Sequence, residues 1–171
     1  TLFRSVGKYW ICKRTPQLSY EAMECIGGSG VMEDSPFPRL YREAPVNAIW
    51  EGSGNVQCLD VLRAMQKSPA VVGEFFAELA KARGANAALD RWVGALKGEF
   101  KDLADLEYRA RHVVDRMALA IQAALLAQHA PPAVADAFCA SRLQGEGHRQ
   151  YGTLPRGADC AAIIRRATPL A

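Results

Sequence analysis

Apolar residues recur every three or four positions along most of the chain, which is the spacing that places them on one face of an α-helix. No segment of the sequence shows the strict alternation of polar and apolar residues that marks a half-buried β-strand. The pattern therefore predicts an all-α fold, built as a helical bundle plus an appended helical extension. Helices are expected near residues 2–23, 39–43, 53–65, 70–83, 87–103, 106–130, 133–143 and 159–166.

Prolines, glycines and capping residues predict where several of these helices bend, begin or end. Pro16 lies inside the first helical segment, so a kink or break is expected near Thr15, because proline removes a backbone donor and crowds the preceding turn. The three glycines of residues 27–30 are expected to close that segment, since glycine readily adopts the left-handed conformation that ends helices. Asp159 is placed to cap the last helix.

A domain boundary is expected after the part of the chain that contains the glycine turns. Two glycine-rich turns, at residues 27–30 and 51–55, lie before residue 66, and no other follows until Gly145. We therefore predict a first domain over residues 1–66 that completes one end of a bundle, and a helical extension over residues 67–171. The chain starts without methionine and inside a periodic segment, which suggests a fragment of a longer protein.

Composition excludes several classes of protein. A net charge of +3 over 171 residues does not require a nucleic-acid partner, and no apolar run is long enough to span a bilayer, so no membrane partner is expected. Five cysteines without a C-x-x-C pair and three widely separated histidines predict no metal site. Scattered cysteines and the lack of a signal peptide favour the cytoplasm. Trp10 and Trp92 fall on apolar helical faces and are expected in the core.

Three short motifs occur in a fixed order in the first third of the chain. They are ECIGGSG at residues 24–30, REA at residues 42–44 and IWEGSGNVQ at residues 49–57. A helical bundle does not need glycine turns of this kind. A site where a ligand closely approaches the backbone does need glycine, because glycine has no Cβ. Together the motifs resemble those of the acyl-CoA dehydrogenase family, and the interval from Gly28 to Glu51 matches that family without a gap.

The resemblance implies an FAD-dependent enzyme that oxidises the Cα–Cβ bond of an acyl-CoA thioester. In many members the glutamate that corresponds to Glu51 removes the α-proton, a step that needs a carboxylate of raised basicity in a dry site. Trp50 would pack near the flavin. Ser53 and Asn55 match family positions that contact FAD.

The resemblance also assigns a role to the first glycine turn. Gly27 and Gly28 match a loop that contacts the FAD of an adjacent subunit, which implies a homo-oligomer, a tetramer, in the full-length protein. Glycine suits this role because a backbone approaches a pyrophosphate most closely where no Cβ intervenes. Family members often carry glutamine where Glu24 stands, and a carboxylate there would meet the pyrophosphate unfavourably. Glu24 is therefore not expected to bind FAD directly.

Further residues narrow the resemblance to the AidB-like, alkylation-response branch of the family. They are PRLYREAPVN at residues 38–47 and WEGSGNVQCLDVLR at residues 50–63, followed by roughly a hundred residues. This resemblance implies a possible duplex DNA partner, bound through the C-terminal region. Arginines outnumber acidic residues toward the end of the chain, and the candidate phosphate contacts are Arg63, Arg142, Arg149, Arg165 and Arg166.

Simpler structural interpretations exist for each of these features. Glu51 could be a carboxylate that the dipole favours at a helix start, the glycine turn could be only a helix C-cap, and the arginines could form a solvated face. Three functional hypotheses follow: an acyl-CoA dehydrogenase with Glu51 as base, an AidB-like duplex-binding protein with little or no dehydrogenase turnover, or a structural segment for oligomerisation. The isolated chain lacks the other bundle helices and the β-domain, so it is expected to be inactive and not to retain FAD.

Overall fold

The computed structural model describes residues 2–102, 104–144 and 150–169, and every regular element within those ranges is helical. The predicted all-α fold class is confirmed. The helices are α1 (Leu2–Ile26), α2 (Phe37–Glu43), α3 (Gly54–Lys67), α4 (Ala70–Ala80), α5 (Ala87–Glu99), α6 (Ala110–His129), α7 (Pro132–Arg142) and α8 (Cys160–Ala167), with two 3₁₀ helices at Gly27–Val31 and Ala44–Ala48.

The chain divides into two compact units. The first unit comprises residues 1–72 and 104–115, and the second comprises residues 73–103 and 116–171. The division after residue 66 that the sequence suggested stays a prediction. Among the described residues, no helix combines the length and the apolar character needed to cross a bilayer.

In the first unit, α1 packs against α2, α3 and both 3₁₀ helices. The buried face of α1 repeats every three or four residues, and the α3 residues that share this core are almost completely buried. These core residues are Leu2, Val6, Tyr9 and Cys12 on α1, with Cys58, Val61 and Leu62 on α3. Burying one large apolar side chain contributes about 1.5–3 kcal/mol to the stability of the fold. The contact between α1 and α3 therefore fixes the two helices that carry the glycine turns at residues 27–30 and 51–55.

A break near Thr15 is wrong, because α1 continues through Pro16 to Ile26, whereas a kink there stays a prediction. In the turn before the proline, the Thr15 hydroxyl donates a hydrogen bond to the Ile11 carbonyl oxygen at 2.7 Å. Packing against α3 and the two 3₁₀ helices holds the helix on both sides of Pro16. Tertiary packing thus overrides the local preference of proline for a helix end.

The second unit buries a core from four helices. Phe75 and Leu79 of α4 and Leu89 and Leu96 of α5 are at most 2% exposed, and α6 contributes a nearly continuous buried run from residue 117 to residue 124. Phe76 extends this cluster by edge-to-face contact with Phe75 at 5.5 Å and with Phe100 at 5.4 Å between ring centres. α7 packs against α5 and against α8.

Several helix ends differ from the predicted ones. α4 ends at Ala80 rather than at residue 83, and α6 begins at Ala110 rather than at residue 106. Before α6, Asp105 has a φ of +50°, a conformation that helices do not accommodate. The guanidinium of Arg109 donates to the Ala104 carbonyl oxygen and fastens this turn. Asp159 caps α8 as predicted, accepting from the Ala162 N–H at 2.9 Å.

The expectation that Trp10 and Trp92 are core residues is wrong, because both side chains are only half-buried. Each indole instead lies beside a guanidinium: the Arg14 carbon is 5.7 Å from the Trp10 ring centre, and the Arg116 carbon is 4.3 Å from the Trp92 ring centre. Sequence periodicity identified the apolar face correctly, but the rings lie at its edge, where a cation covers them.

The cysteines should fall into two classes when the native protein is alkylated. Burial raises the pKa of Cys58 to about 12 and that of Cys139 to about 11, so both thiols stay neutral and inaccessible near neutral pH. Cys25 and Cys160 are exposed. Iodoacetamide followed by mass spectrometry should label the exposed pair rapidly, and should label Cys58 and Cys139 only after denaturation. Rapid native labelling of Cys58 would contradict the packing of α1 against α3.

Candidate functional site

The turn before α3 places Trp50 and Glu51 on the surface of the first unit. It closes through a hydrogen bond from the Gly52 N–H to the Ile49 carbonyl oxygen at 3.2 Å. Gly52 has a φ of +104°, which residues with a side chain rarely adopt, so glycine is required there. Gln57 of α3 fastens the turn, because its Nε2 donates to the Gly52 carbonyl oxygen at 2.7 Å.

Glu51 forms an ion pair with Lys8 of α1, with 2.5 Å between Oε2 and Nζ. The Lys8 ammonium also lies 5.2 Å from the centre of the Trp50 ring, within cation–π range. The hydrogen bond from Lys8 lowers the pKa of Glu51 despite the opposing effect of burial, and the charges of Lys8 and Arg4 lower it further. Glu51 is therefore ionised at neutral pH, but its side chain is 46% exposed and lacks the dry surroundings that would raise its basicity.

Lys8→Met should raise the pKa of Glu51, because it removes the hydrogen bond and the charge that favour the carboxylate. A carboxylate with a lowered pKa adds stability above the ordinary glutamate pKa and loses this contribution as the pH falls, so the variant should also lose part of its acid sensitivity. Carboxyl-carbon NMR shifts of Glu51 across a pH titration measure the effect. Lys67→Met, at the end of α3, is the control, and an identical Glu51 titration in both variants would refute the ion pair.

Lys8 and Glu51 line an open cleft of about 470 Å³ in the first unit. The remaining lining residues are Arg4 and Ser5 of α1 and Gln57 and Asp60 of α3. Gln57 is only 5% exposed, and its Oε1 is buried with no hydrogen-bond donor among the described residues. Because an unsatisfied buried acceptor is costly, this oxygen favours a ligand or water that donates to it.

The start of α3 presents exposed polar groups beside two cations. Ser53 is the N-cap, but its hydroxyl makes no capping hydrogen bond, and Asn55 is exposed in the first turn. Gly54 between them is buried: a Cβ there would lie 2.6 Å from Nη2 of Arg111 and 3.2 Å from Cδ of Lys13. Positive side chains thus adjoin a helix N-terminus, where free N–H groups already favour anions.

The three glycines that follow α1 have different structural roles. Gly27 has a φ of +72° and ends the helix, as predicted, whereas Gly28 is exposed and a Cβ there would meet nothing within 4 Å. Gly30 is buried, and a Cβ on it would overlap the backbone carbonyl of Met23. Packing therefore accounts for Gly30 and backbone conformation for Gly27. No contact among the described residues requires a glycine at Gly28.

Gly30→Ala and Gly28→Ala should differ sharply in stability. The first variant forces a methyl group into the Met23 backbone and should cost about 1–3 kcal/mol or more, because a backbone carbonyl cannot move aside as a side chain does. The second adds a methyl group to open space and should change stability by less than about 0.5 kcal/mol. Urea unfolding followed by circular dichroism measures both. Equal losses would show that the 3₁₀ turn is packed differently.

The REA motif at residues 42–44 has a structural role in this unit. Arg42 forms a bidentate pair with Glu33, with Nη1–Oε1 at 2.5 Å and Nη2–Oε2 at 3.1 Å. The hydrogen bond from Arg42 lowers the pKa of Glu33. Ala44 is 2% exposed at the start of the second 3₁₀ helix. The motif therefore ties the loop after Val31 to the end of α2.

The candidate DNA contacts are distributed over both units. Arg63 is exposed on α3 and pairs with Asp60 at 2.5 Å, while Arg165 and Arg166 are exposed in the last turn of α8. Arg142, at the end of α7, donates to the Gln150 carbonyl oxygen and lies 5.8 Å from the centre of the Tyr151 ring. Arg149 lies outside the described residues.

Sequence reasoning missed the partners of Glu51. Lys8 and Arg4 stand one helical turn apart on α1, and Lys8 is 43 positions from Glu51. A basic pair at this spacing is common on helix surfaces and carries no specific signal. The motif at residues 49–57 does not by itself assign a function to Gln57. The structure shows that Gln57 fastens the turn and lines the cleft.

Comparison with known proteins agrees with the motifs. Residues 2–66 match the sequence pattern of the acyl-CoA dehydrogenase C-terminal domain. The chain is 39% identical to the Escherichia coli K12 protein AidB, which carries the name of an acyl-CoA dehydrogenase, over 146 residues that cover 85% of this chain and 27% of that protein. It is 47% identical to acyl-CoA dehydrogenase family member 11 of Caenorhabditis elegans over 62 residues, covering 36% of this chain and 10% of the relative.

A third similarity connects the chain to a named enzyme. Cyclohexane-1-carbonyl-CoA dehydrogenase of Geobacter metallireducens is 33% identical over 70 residues, which cover 41% of this chain and 18% of that enzyme. The chain thus spans about a quarter of the length of AidB and less of the other relatives. The domain match over residues 2–66 assigns this part of the chain to the acyl-CoA dehydrogenase family, and the 39% identity to AidB across 85% of the sequence extends the similarity beyond it.

Proposed function

We propose that the chain is the C-terminal part of an FAD-dependent flavoprotein that oxidises the Cα–Cβ bond of an acyl-CoA, with Glu51 as the base that removes the α-proton. The observation that carries this proposal is the position of Glu51, which lines a cleft beside Trp50 and the start of α3, within the motif that resembles the family's base. Its pairing with Lys8 keeps a proton acceptor ionised at neutral pH.

Lys8 would also orient the base. It bonds Oε2 of Glu51, so Oε1 is the oxygen that would take the proton from the α-carbon. Exposed to water, this carboxylate is a weak base toward a carbon acid, because hydration stabilises its charge. Covering the cleft with acyl-CoA and with the rest of the longer protein would remove that water and raise its basicity. We accordingly propose that the isolated chain is inactive.

The residues present fit FAD. Gly28 offers an open backbone, and together with Gly27 it would admit the pyrophosphate of a flavin held by an adjacent subunit. Ser53 and Asn55 are exposed at the start of α3, and the Ser53 hydroxyl makes no capping hydrogen bond to that helix. Trp50, 65% exposed, would pack near the isoalloxazine. When bound, FAD accepts the hydride that leaves the β-carbon.

The exposed apolar side chains of the first unit are consistent with assembly into a larger protein. Ile49, Trp50, Ile11 and Val31 are each more than 60% exposed, which is unusual for large apolar residues on a finished surface. We propose that residues 1–66 complete the helical bundle of a homotetramer, that residues 67–171 form the appended extension, and that the missing bundle helices cover this surface. Concentration-dependent sedimentation of the full-length protein tests the oligomer.

Anaerobic mixing of the full-length protein with acyl-CoA tests the dehydrogenase proposal. Loss of the flavin absorbance without an external reductant is the expected result, because the substrate then supplies the hydride. A full-length protein that retains FAD, yet shows no bleaching with acyl-CoAs from short to long chain, would overturn the proposal. That outcome would favour the second candidate.

Duplex DNA binding is the second candidate function, with little or no dehydrogenase turnover. The similarity to AidB extends over 146 residues, well beyond the domain match at residues 2–66, so it includes part of the extension that holds most of the candidate arginines. Arg165 and Arg166 are both exposed in the last turn of α8. Exposed arginines can neutralise phosphates, and Arg63 on α3 is also exposed despite its pairing with Asp60.

A salt series tests this second candidate. Anisotropy of a labelled duplex should report binding whose log K falls by about 0.9 per phosphate contact per decade of salt. The paired Arg165→Ala and Arg166→Ala variant should weaken binding and flatten the slope by about two contacts. Arg39→Ala is the control, since this exposed arginine pairs with Glu43 on α2 and belongs to none of the candidate positions. Absence of binding at low salt would exclude this region as a sufficient duplex site.

A further inference from the structure

The second unit contains a pocket that neither the dehydrogenase proposal nor the duplex proposal uses. Its volume is about 490 Å³, within the range of small-molecule sites. α5 forms one wall with residues spaced three or four apart, α6 contributes Arg116, and the chain just after α7 contributes the rest. The lining residues are Ala88, Arg91, Trp92, Ala95, Arg116, Leu143 and Gln144.

Arg116 is held in place by two contacts with Trp92. Its guanidinium carbon lies 4.3 Å from the centre of the indole ring, and the indole Nε1–H donates to the Arg116 backbone carbonyl oxygen at 3.1 Å. A guanidinium fixed on an aromatic face is preorganised, because little side-chain freedom remains to be lost when a ligand binds.

One donor of the Arg116 side chain has no partner among the described residues. Its Nε is buried and finds no acceptor among the described residues. A charged donor without an acceptor is unfavourable, and a planar guanidinium pairs best with a group that offers two oxygens. Carboxylates and phosphates have that geometry.

The charge of the pocket favours the same chemistry. Two of its described lining residues, Arg91 and Arg116, are cationic, and none of them is acidic. Gln144 adds a neutral amide, while Ala88, Ala95 and Leu143 are small or apolar and leave room for the body of a ligand. A simple inorganic anion such as chloride would interact with the two cations but would not contact this apolar wall.

We infer that the second unit binds a small organic anion, a carboxylate or phosphate monoester with a compact apolar body, between Arg91 and Arg116. The oxyanion pairs with the two guanidinium groups, and the apolar body lies against Trp92 and the neighbouring alanines of α5. The site is separate from the cleft at Glu51, because every residue that lines it belongs to the second unit.

Titration of the chain with phenyl phosphate tests this site, using the Trp92 indole N–H signal in ¹⁵N NMR, assigned through Trp92→Phe. We expect a saturable shift at millimolar or lower concentration, and a smaller one with inorganic phosphate, which lacks the apolar body. Arg116→Met should weaken binding about tenfold or more, since a bond to a charged group is lost. Arg91→Met, at an exposed position that leaves the fold intact, should weaken it several-fold, while Arg83→Met should leave it unchanged.

Three results would overturn the inference. One is a Trp92 signal that does not saturate with phenyl phosphate. Another is affinity that Arg91→Met leaves unchanged, which would make the cations structural rather than ligand-binding. The third is a short DNA duplex that shifts the Trp92 signal at a lower concentration, counted in phosphate groups, than phenyl phosphate does. That result would show that the pocket binds the DNA backbone rather than a small anion.

Discussion

The proposed role of Glu51 as a base predicts that Glu51→Gln in the full-length protein slows flavin reduction by acyl-CoA by about 10²–10⁴-fold, the range that a positioned general base contributes. The substitution keeps the shape of the side chain and its place beside Trp50 but removes the ability of Oε1 to accept a proton. It also breaks the charge pairing with Lys8, which lies 2.5 Å from Oε2. Because FAD contacts are assigned to other residues, flavin content should stay at the wild-type level.

The comparison that isolates the base uses a second carboxylate of the same unit. Glu43 is exposed on α2 and pairs with Arg39 at 3.1 Å, and it does not line the cleft. Glu43→Gln should therefore leave flavin reduction unchanged. Stopped-flow absorbance measures both variants under anaerobic conditions. Wild-type rates in Glu51→Gln would place the base elsewhere in the longer protein and leave Glu51 as a helix-start carboxylate.

The helices could be predicted from the sequence because they depend on short-range information. Periodic apolar positions place α1 and α3 face to face, and side-chain caps such as Asp159 are recognisable within four residues. Where prediction failed, the cause was a neighbour or a backbone conformation that periodicity does not encode. Pro16 is carried inside α1 by packing on both sides, and the positive φ of Asp105 delays the start of α6.

The candidate site divides in the same way. The glycine turns and the position of Glu51 were visible as motifs, because backbone conformation and close approach demand specific residue types over a few positions. The ion pair with Lys8 joins residues 43 positions apart and depends on how α1 packs against α3. The distinction between Gly28 and Gly30 depends on tertiary packing, because both stand in the same run and only a Cβ on Gly30 would meet the Met23 backbone.

The second large effect concerns the core of the second unit, where Phe75→Ala is expected to lower the free energy of unfolding by about 3–5 kcal/mol. Phe75 is 0% exposed and stacks edge-to-face on Phe76 at 5.5 Å between ring centres. Truncation removes the buried apolar area, leaves a cavity beside Leu79 on the same helix, and deletes the aromatic contact. Such a loss is a large fraction of the stability of a domain this size.

Tyr108→Ala provides the matched control, because this aromatic side chain is 93% exposed and its removal should cost less than about 0.5 kcal/mol. Phe75→Leu should fall between the two variants, since it keeps most of the apolar volume but loses the edge-to-face contact. Urea denaturation followed by circular dichroism gives the three free energies. Equal losses of unfolding free energy for Phe75→Ala and Tyr108→Ala would mean that α4 does not bury Phe75. The edge-to-face contact of Phe75 with Phe76 would then be wrong as well.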